Sequence, residues 1–175
     1  MKVFSLASRL AGAVLLVSSW GALAADKPTD PQIAHIAYTA GVIDIKAAEQ
    51  ALGISKNEAV REFATSMATD HKTVNDLALA LVAKLGVTPE DNDTSKSLVA
   101  QSEAKIAELA ALSGADFDKA YIANEVAYHQ AVNAAVSGLL IPSASNAELK
   151  SLLETGLKIF QGHELHAEHV AESLK

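Results

Sequence analysis

Residues 58–85, EAVREFATSMATDHKTVNDLALALVAKL, decide the fold class. Along this stretch, mostly apolar side chains recur in alternating steps of four and three residues: Val60, Ala64, Met67, His71, Val74, Ala78, Leu81 and Leu85. This spacing places them on one face of an α-helix, and an apolar helix face is stable only when it packs against other elements. The stretch therefore predicts a long helix buried along one side.

The same spacing recurs in two later segments of the chain. One contains Ile122, Glu125, His129, Val132, Val136 and Leu139. The other contains Leu149, Leu153, Gly156, Phe160, His163, Ala167, Val170 and Leu174. No stretch alternates apolar and polar residues with period two for long enough to predict a sheet. The chain is predicted to be all-α.

Capping and helix-breaking residues divide the chain into five helices. The predicted starts are Asp30-Pro31, a capping box from Ser55 to Glu58, Asp93 or Thr94, about Asp116, and a second capping box from Ser145 to Glu148. The predicted ends of the first four helices are Gly53, Gly86, Ser113-Gly114 and Ile141, the last before Pro142. The prediction is a four-helix bundle with a short extra helix in the long connection.

Composition narrows the possible functions. The 175 residues are enough for one domain with a substantial core. Lys and Arg number 14 against 21 Asp and Glu, a net charge of −7, so nucleic acid is not an expected partner. The chain has no cysteine, which excludes disulfides, thiolate ligands and a cysteine nucleophile. With no G-x-S-x-G and no glycine-rich phosphate loop, the sequence names no reaction and favours a non-enzymatic role.

The N-terminus has the layout of a secretory signal peptide over residues 1–24. Lys2 and Arg9 precede the apolar run LAGAVLLVSSWGALA, which ends in Ala22-Leu23-Ala24, an A-x-A cleavage site. The alternative is a membrane anchor, but the run falls short of the roughly 20 residues that a spanning helix needs. We expect a periplasmic or otherwise exported domain of residues 25–175, with no membrane span after cleavage.

Polar residues interrupt the apolar helix faces. His71 lies on the second helix, Glu125 and His129 on the fourth, and His163 on the fifth. Groups of this kind are costly in a core unless they are paired or ligated. Imidazoles and carboxylates that converge from facing helices form metal sites in bundles, and nitrogen and oxygen ligands suit zinc, copper, iron or manganese. The alternative is a structural network in which each histidine is hydrogen-bonded within the core.

Asp44 and Asp70 are possible additional ligands. Counting residues from a turn near residue 54 places Asp44 about 10 Å short of His71 along the bundle, and His35 level with His71.

Glu125 and His129 are four residues apart and do not form the Glu-x-x-His pair of di-iron bundles, so a ferroxidase centre is disfavoured. His166 and His169 flank the apolar face and are expected to be solvated. Tyr121 and Tyr128 are expected to pack their rings in the core and to expose their hydroxyl groups to solvent.

Three motifs resemble those of one bacterial family. Residues 60–71 are similar to its V-x-x-F-A-x-x-M-x-x-D-H, Phe117-Asp118-x-x-Tyr121 followed by His129 is similar to its F-D-x-x-Y…H, and Phe160-x-x-His163-x-x-x-Ala167 resembles its last-helix histidine motif. The family is that of the domain of unknown function 4142, exported proteins of ferritin-like bundle fold. The resemblance covers roughly residues 32 to 172.

Two positions depart from the family pattern, because Asp44 stands in place of the usual Glu and Glu125 in place of a Gln or Met. The resemblance implies an all-helical envelope protein and supplies no activity. Three hypotheses follow: a periplasmic metal-binding bundle for storage, buffering or sensing; a non-catalytic structural or stress-related envelope protein without a metal site; and an oxidase with a bound metal. The third is weaker, because the paired carboxylate motifs are absent.

Overall fold

The computed structural model describes residues 27–175, so the predicted signal peptide, residues 1–24, lies outside the described part of the chain. The described part contains five main helices and no strand: α1 (Asp30–Ile54), α2 (Glu58–Leu85), α3 (Asp93–Ala110), α4 (Gly114–Ala135) and α5 (Ala147–Ser173). The all-α prediction is confirmed. Within residues 27–175, no helix combines the length and the apolar character needed to cross a membrane.

The helices form a bundle of two hairpins. Three residues join α1 to α2, and three also join α5 to the end of the helical continuation of α4 at Ser143, so each pair is antiparallel. Helix α2 packs against α5, and α1 against α4, which closes a four-helix arrangement in the order α1, α2, α5, α4. The shorter helix α3, in the connection between α2 and α4, lies against α1. The predicted extra helix therefore covers one side of the bundle.

The core consists of two apolar clusters stacked along the bundle. The cluster near the α1–α2 turn contains Phe63, Met67, Phe117 and Tyr121 among others. The cluster towards the other end contains Ile33, Ile36, Val132 and Leu153 among others. The polar residues of the apolar faces lie near the middle of the bundle, where the two clusters meet.

Several helix starts differ from the predicted caps by one or two residues. Asn57, and not Ser55, caps α2 by accepting a hydrogen bond from the Val60 N–H. Asn146, and not Ser145, caps α5. Asn side chains are as effective as Ser at this position, so the capping-box spacing alone misplaced both starts. Gly86 ends α2 with a φ of 64°, as its predicted position requires.

Asp30 does not cap its own helix. Its carboxylate accepts hydrogen bonds from the backbone N–H groups of Ser145 (2.8 Å) and Asn146 (2.9 Å), just before α5 begins. Thr29 is the capping residue of α1. The start of α1 is thus tied to the start of α5, a long-range contact that the local sequence pattern does not indicate.

Helix α4 does not stop at Ile141. It continues through a π-helical turn (Val136–Leu140) into a last helical turn (Ile141–Ser143) that includes Pro142. In an unbroken α-helix the Pro142 ring would clash with the carbonyl of Gly138 and leave it without a donor. The wider turn just before Pro142 gives the chain a way to stay helical past the proline.

Candidate functional site

A layer of buried polar side chains crosses the middle of the bundle. Asp44 comes from α1, His71 from α2, Glu125 and His129 from α4, and His163 from α5. Their exposed fractions are 1%, 2%, 1%, 0% and 6%. Each of the four bundle helices contributes at least one of these groups, and apolar clusters enclose the layer above and below.

The three histidines lie together. One ring nitrogen of each of His71, His129 and His163 lies within 4.8 Å of the corresponding nitrogens of the other two. The ring centroids are 5.2 to 5.7 Å apart. The rings are therefore close enough for their nitrogens to reach one ion after small side-chain movements, because zinc-like ions bind imidazole nitrogen at about 2.0–2.1 Å.

Asp44 joins the histidines, so the expected offset of about 10 Å is wrong. Its Oδ2 lies 3.1 Å from Nε2 of His71 and 3.3 Å from Nε2 of His129. Neither contact has the geometry of a hydrogen bond, and within residues 27–175 neither oxygen of Asp44 has a hydrogen-bond partner. One carboxylate oxygen thus faces two imidazole nitrogens without being satisfied by either.

The offset was wrong because of the position of the turn and the direction of the side chains. Residues 55–57 join the two helices, so Asp44 lies about 18 Å and His71 about 22 Å from the centre of the turn. Side chains on a helix lean towards its N-terminus. In this antiparallel pair, Asp44 therefore leans away from the turn and His71 leans towards it, which brings the two to one level.

His35 is not part of this layer, although its depth was expected to match that of His71. It lines a groove between α1 and α3, together with Tyr38 and Val99. His35 precedes Asp44 by nine residues, which turns it by about 180° around α1. Depth along the bundle predicted a match, whereas the direction around the helix excludes it.

His129 is held in one orientation by the backbone. Its Nδ1 lies 3.0 Å from the carbonyl oxygen of Glu125, one turn earlier in α4. A carbonyl oxygen only accepts, so Nδ1 carries the proton and Nε2 has a free lone pair. Within the described residues that Nε2 makes no hydrogen bond. It is the atom that faces Asp44.

His163 is oriented by Asp70. The Nε2 atom of His163 lies 3.0 Å from Oδ2 of Asp70, whose side chain is 48% exposed. If Nε2–H donates to this carboxylate, Nδ1 retains the lone pair, and Nδ1 is buried without a partner among residues 27–175. Asp70 therefore contacts the outer side of a histidine and is placed to orient it rather than to join the shared cluster.

His71 is positioned by packing. Its ring stacks on that of Phe160 with 4.7 Å between centroids and an angle of 3° between planes. Both of its nitrogens are buried, and in the described part of the chain neither makes a hydrogen bond. Imidazole nitrogens in a core are normally satisfied, so two unsatisfied nitrogens on one ring point to a missing partner.

Glu125 lies at the edge of the layer. Its Oε2 is 3.8 Å from Nδ1 of His129, and its Oε1 accepts a hydrogen bond of 3.4 Å from the Asn124 amide. Asp44, Glu125 and His129 form a second group whose ligand atoms lie within 4.8 Å of one another. Burial and the charge of Asp44 raise the pKa of Glu125 well above its usual value. Glu125 therefore keeps its proton to a higher pH than an exposed glutamate does.

The other groups of the layer are suited to cation binding at neutral pH. Burial lowers the pKa of His129, and it lowers the pKa of His163 to about 4 even though Asp70 opposes this effect. Burial raises the pKa of Asp44, but its interaction with His71, followed by those with His129 and His163, lowers it overall. The layer thus places His129 and His163, whose protonation burial disfavours, beside a carboxylate that ionises readily.

Tyr121 and Tyr128, beside the layer, were expected to have solvent-exposed hydroxyl groups, but both residues are buried. The Tyr128 hydroxyl donates a hydrogen bond of 2.8 Å to the carbonyl oxygen of Ala40. The Tyr121 hydroxyl is buried without a partner within residues 27–175. Burial, followed by the nearby carboxylates Glu125 and Asp44, raises the pKa of both tyrosines. The spacing of four residues between Tyr121 and Glu125 was the sequence signal for this neighbour.

The two flanking histidines of α5, His166 and His169, differ in their exposure to solvent. His169 is exposed, as expected. His166, expected in water, is half-buried, and its ring meets that of Phe63 edge-on at 5.2 Å. Neither belongs to the histidine cluster.

Two cavities adjoin the layer from different sides. A cavity of about 40 Å³ between α1, α3 and α4 is lined by Asp44 and Glu125 together with the polar side chains of Ser102 and Asn124. A second cavity, of about 50 Å³, lies along the bundle and is lined at one end by His71. The carboxylates thus face a partly polar space and His71 faces an apolar one.

The fold and the polar layer define a class of helical-bundle proteins with histidine and carboxylate groups in the core. The chain matches the family described as "Domain of unknown function (DUF4142)" over residues 18–170 and belongs to that family. The family resemblance drawn from the motifs is confirmed.

A solved structure has a similar fold. It is described as "Crystal structure of DUF305 fragment from Deinococcus radiodurans", and it superposes with a TM-score of 0.70 at 16% sequence identity, over 85% of this chain and 99% of that one. At this identity the likeness concerns the fold alone. None of the curated proteins compared matches the chain.

Proposed function

We propose that this protein is an exported helical bundle that binds one transition-metal ion through His71, His129, His163 and Asp44. One observation carries the proposal: three helices bring imidazole nitrogens within 4.8 Å of one another in a buried layer. Converging side chains on facing helices are the usual way in which bundles hold a metal.

The unsatisfied atoms favour a metal over a structural polar network. In such a network each buried polar atom has a partner, because an unsatisfied one costs about 1–3 kcal/mol. Within the described residues, the atoms without a hydrogen bond include both nitrogens of His71, Nε2 of His129, Nδ1 of His163 and both carboxylate oxygens of Asp44. A cation bound among them would satisfy several of these lone pairs at once.

The donor set indicates the class of metal. Three imidazoles and a carboxylate suit zinc, copper, iron or manganese, whereas magnesium and calcium prefer oxygen ligands. His129 and His163 are oriented by hydrogen bonds to a backbone carbonyl and to a carboxylate, the acceptors that metal-bound histidines commonly have. Glu125, 3.8 Å from His129, supplies a further carboxylate once it loses its proton.

The location proposed for this function is the periplasm or another exported compartment. The basis is the charged start, apolar run and A-x-A site of residues 1–24. An exported metal-binding bundle would store or buffer the ion, or sense it. No part of the site resembles a hydrolytic arrangement of Ser, His and Asp.

The test is stoichiometric metal binding that depends on the cluster. We expect the purified mature protein, freed of metal, to bind one equivalent of Zn²⁺ or Cu²⁺ by calorimetric titration, with bound metal confirmed by elemental analysis. His129→Ala and His71→Ala should each weaken binding at least tenfold. His169→Ala, which removes an exposed histidine, is the control and should bind as the wild type does.

Failure to bind metal in this way would favour the alternative, a structural polar network without a metal. If no zinc, copper, iron or manganese binds at one equivalent, the layer is a structural polar network. The same conclusion follows if His169→Ala weakens binding as much as His129→Ala does, because binding would then not depend on the buried histidines.

A further inference from the structure

An apolar cavity of about 50 Å³ lies between α1, α2, α4 and α5 and reaches the layer of buried polar side chains. His71 and Phe160 line one end, and Val82 and Leu149 line the other. Since α2 and α5 are antiparallel, this order shows that the cavity runs along the bundle axis, away from the layer.

The cavity exists because small residues occupy inward positions. Ala40, Ala78 and Gly156 line it where larger aliphatic side chains would fill a close-packed core. A Cβ at Gly156 would lie 3.4 Å from the Phe160 ring and 3.8 Å from Val74, which are ordinary contact distances. Crowding therefore does not require glycine there, and the open space is a property of the side chains present.

The lining favours an apolar occupant over water. Polar side chains in the lining are confined to His71, Asn75 and Tyr128. The Tyr128 hydroxyl donates a hydrogen bond to the Ala40 carbonyl, and the Asn75 side-chain amide donates one to the Tyr38 carbonyl. The unsatisfied nitrogens of His71 lie at one end of the cavity. A buried water needs two to four polar partners, so the cavity beyond His71 is expected to stay dry and to bind small apolar molecules.

We propose that this cavity is a binding subsite for a small apolar diatomic molecule, with dioxygen as the expected occupant, beside His71. The volume of about 50 Å³ is enough for such a molecule and too small for an acyl chain or an aromatic ligand. A molecule at this end of the cavity would lie next to one of the proposed ligands. Its relevance to a metal rests on the proposed function, whereas the occupancy of the cavity does not.

The test uses metal-free mature protein and two probes, xenon and dissolved dioxygen. Under increasing xenon pressure, we expect saturable NMR shifts at amides along the cavity, such as those of Ala40, Ala78 and Gly156. Dissolved dioxygen is paramagnetic, and it should relax the same amides more strongly than exposed amides of α2. Absence of saturable xenon shifts would overturn the proposal, as would nuclear Overhauser contacts from bound water to these residues.

Matched variants locate the binding. Ala78→Leu places a larger side chain in the cavity and should reduce xenon affinity at least tenfold. Ala80→Leu makes the same change at an exposed position of the same helix, and should leave xenon affinity unchanged. If Ala78→Leu does not fold, Gly156→Ala decides, with an expected several-fold loss. Xenon shifts that persist unchanged in the folded cavity variant would overturn the assignment.

The metal-binding proposal and the cavity proposal can each be refuted without the other. Xenon and dioxygen are tested without metal, so loss of the metal hypothesis leaves this result unaffected. If metal binds and xenon does not, the subsite alone is wrong.

Discussion

Nε2 of His163 lies 3.0 Å from Oδ2 of Asp70, across the interface between α5 and α2. The carboxylate is half in solvent while the imidazole is buried. A surface residue of one helix therefore sets the orientation of a core residue of another. Because this contact occupies Nε2, it leaves Nδ1 of His163 facing the buried side.

Loss of the Asp70 charge should weaken metal binding. Removing the partner that orients a metal-bound histidine costs roughly 10- to 100-fold in affinity. We expect Asp70→Asn to lower zinc affinity by about tenfold in calorimetric titration, with little change in fold. Asp76→Asn, on the same helix and paired with Lys72 on the surface, is the control. Equal affinities for the wild type and Asp70→Asn would contradict the orienting role.

Metal-free protein should lose stability between pH 6.5 and 4. His163 has a folded-state pKa of about 4, below its ordinary value of 6.5, and the pKa of His129 is also lowered. At these two histidines the unfolded chain binds more protons than the folded chain in this pH range, so their contribution to the free energy of unfolding falls as pH falls. Thermal melts should show this loss, and it should be smaller in His163→Gln. A pH-independent melting temperature over this range would contradict the prediction.

Glu125 should change the stability of the metal-free protein with pH in the opposite direction, lowering it as pH rises. Its pKa is raised well above 4.5 in the folded protein, so the stability linked to its neutral form is present at low pH and lost as pH rises through the folded pKa. Without metal, Glu125→Gln should therefore raise the melting temperature relative to the wild type more at pH 8 than at pH 5. A difference between the two proteins that does not change with pH would refute this.

A charge on the inner face of α2 should destabilise the fold. Val74 is partly buried and lines the cavity beside His71. An unpaired charge buried there is expected to cost about 3–5 kcal/mol, a large part of a typical total of 5–15 kcal/mol. Denaturant unfolding of Val74→Asp should show this loss, whereas Thr73→Asp, exposed on the same helix, should change stability by less than about 1 kcal/mol. Similar small losses in both would mean that this face is not buried in solution.

Export makes a separate prediction about the N-terminus. We expect mass spectrometry of the protein from the periplasm to show a chain that begins at Ala25, because Ala22-Leu23-Ala24 ends the apolar run. Intact Met1 on membrane-held protein would contradict export in soluble form.

The sequence by itself determined the helices and the residues that face inward. Steps of three and four residues follow from 3.6 residues per turn, so the apolar faces of α2, α4 and α5 could be read directly. The same rule placed His71, His129 and His163 on those faces. Local rules of capping were less reliable, because Ser and Asn compete for the same position and the choice between them depends on neighbouring contacts.

Only the tertiary structure decided which inward residues meet. Asp44 reaches His71 because the turn is centred two residues later than was assumed and the two side chains lean together. His35 fails to reach it because it points to the opposite side of α1. Asp70 orients His163 from the surface because α2 packs against α5. Each depends on the position and rotation of one helix against another, which arise from packing over the whole bundle and leave no periodic signal in a single segment.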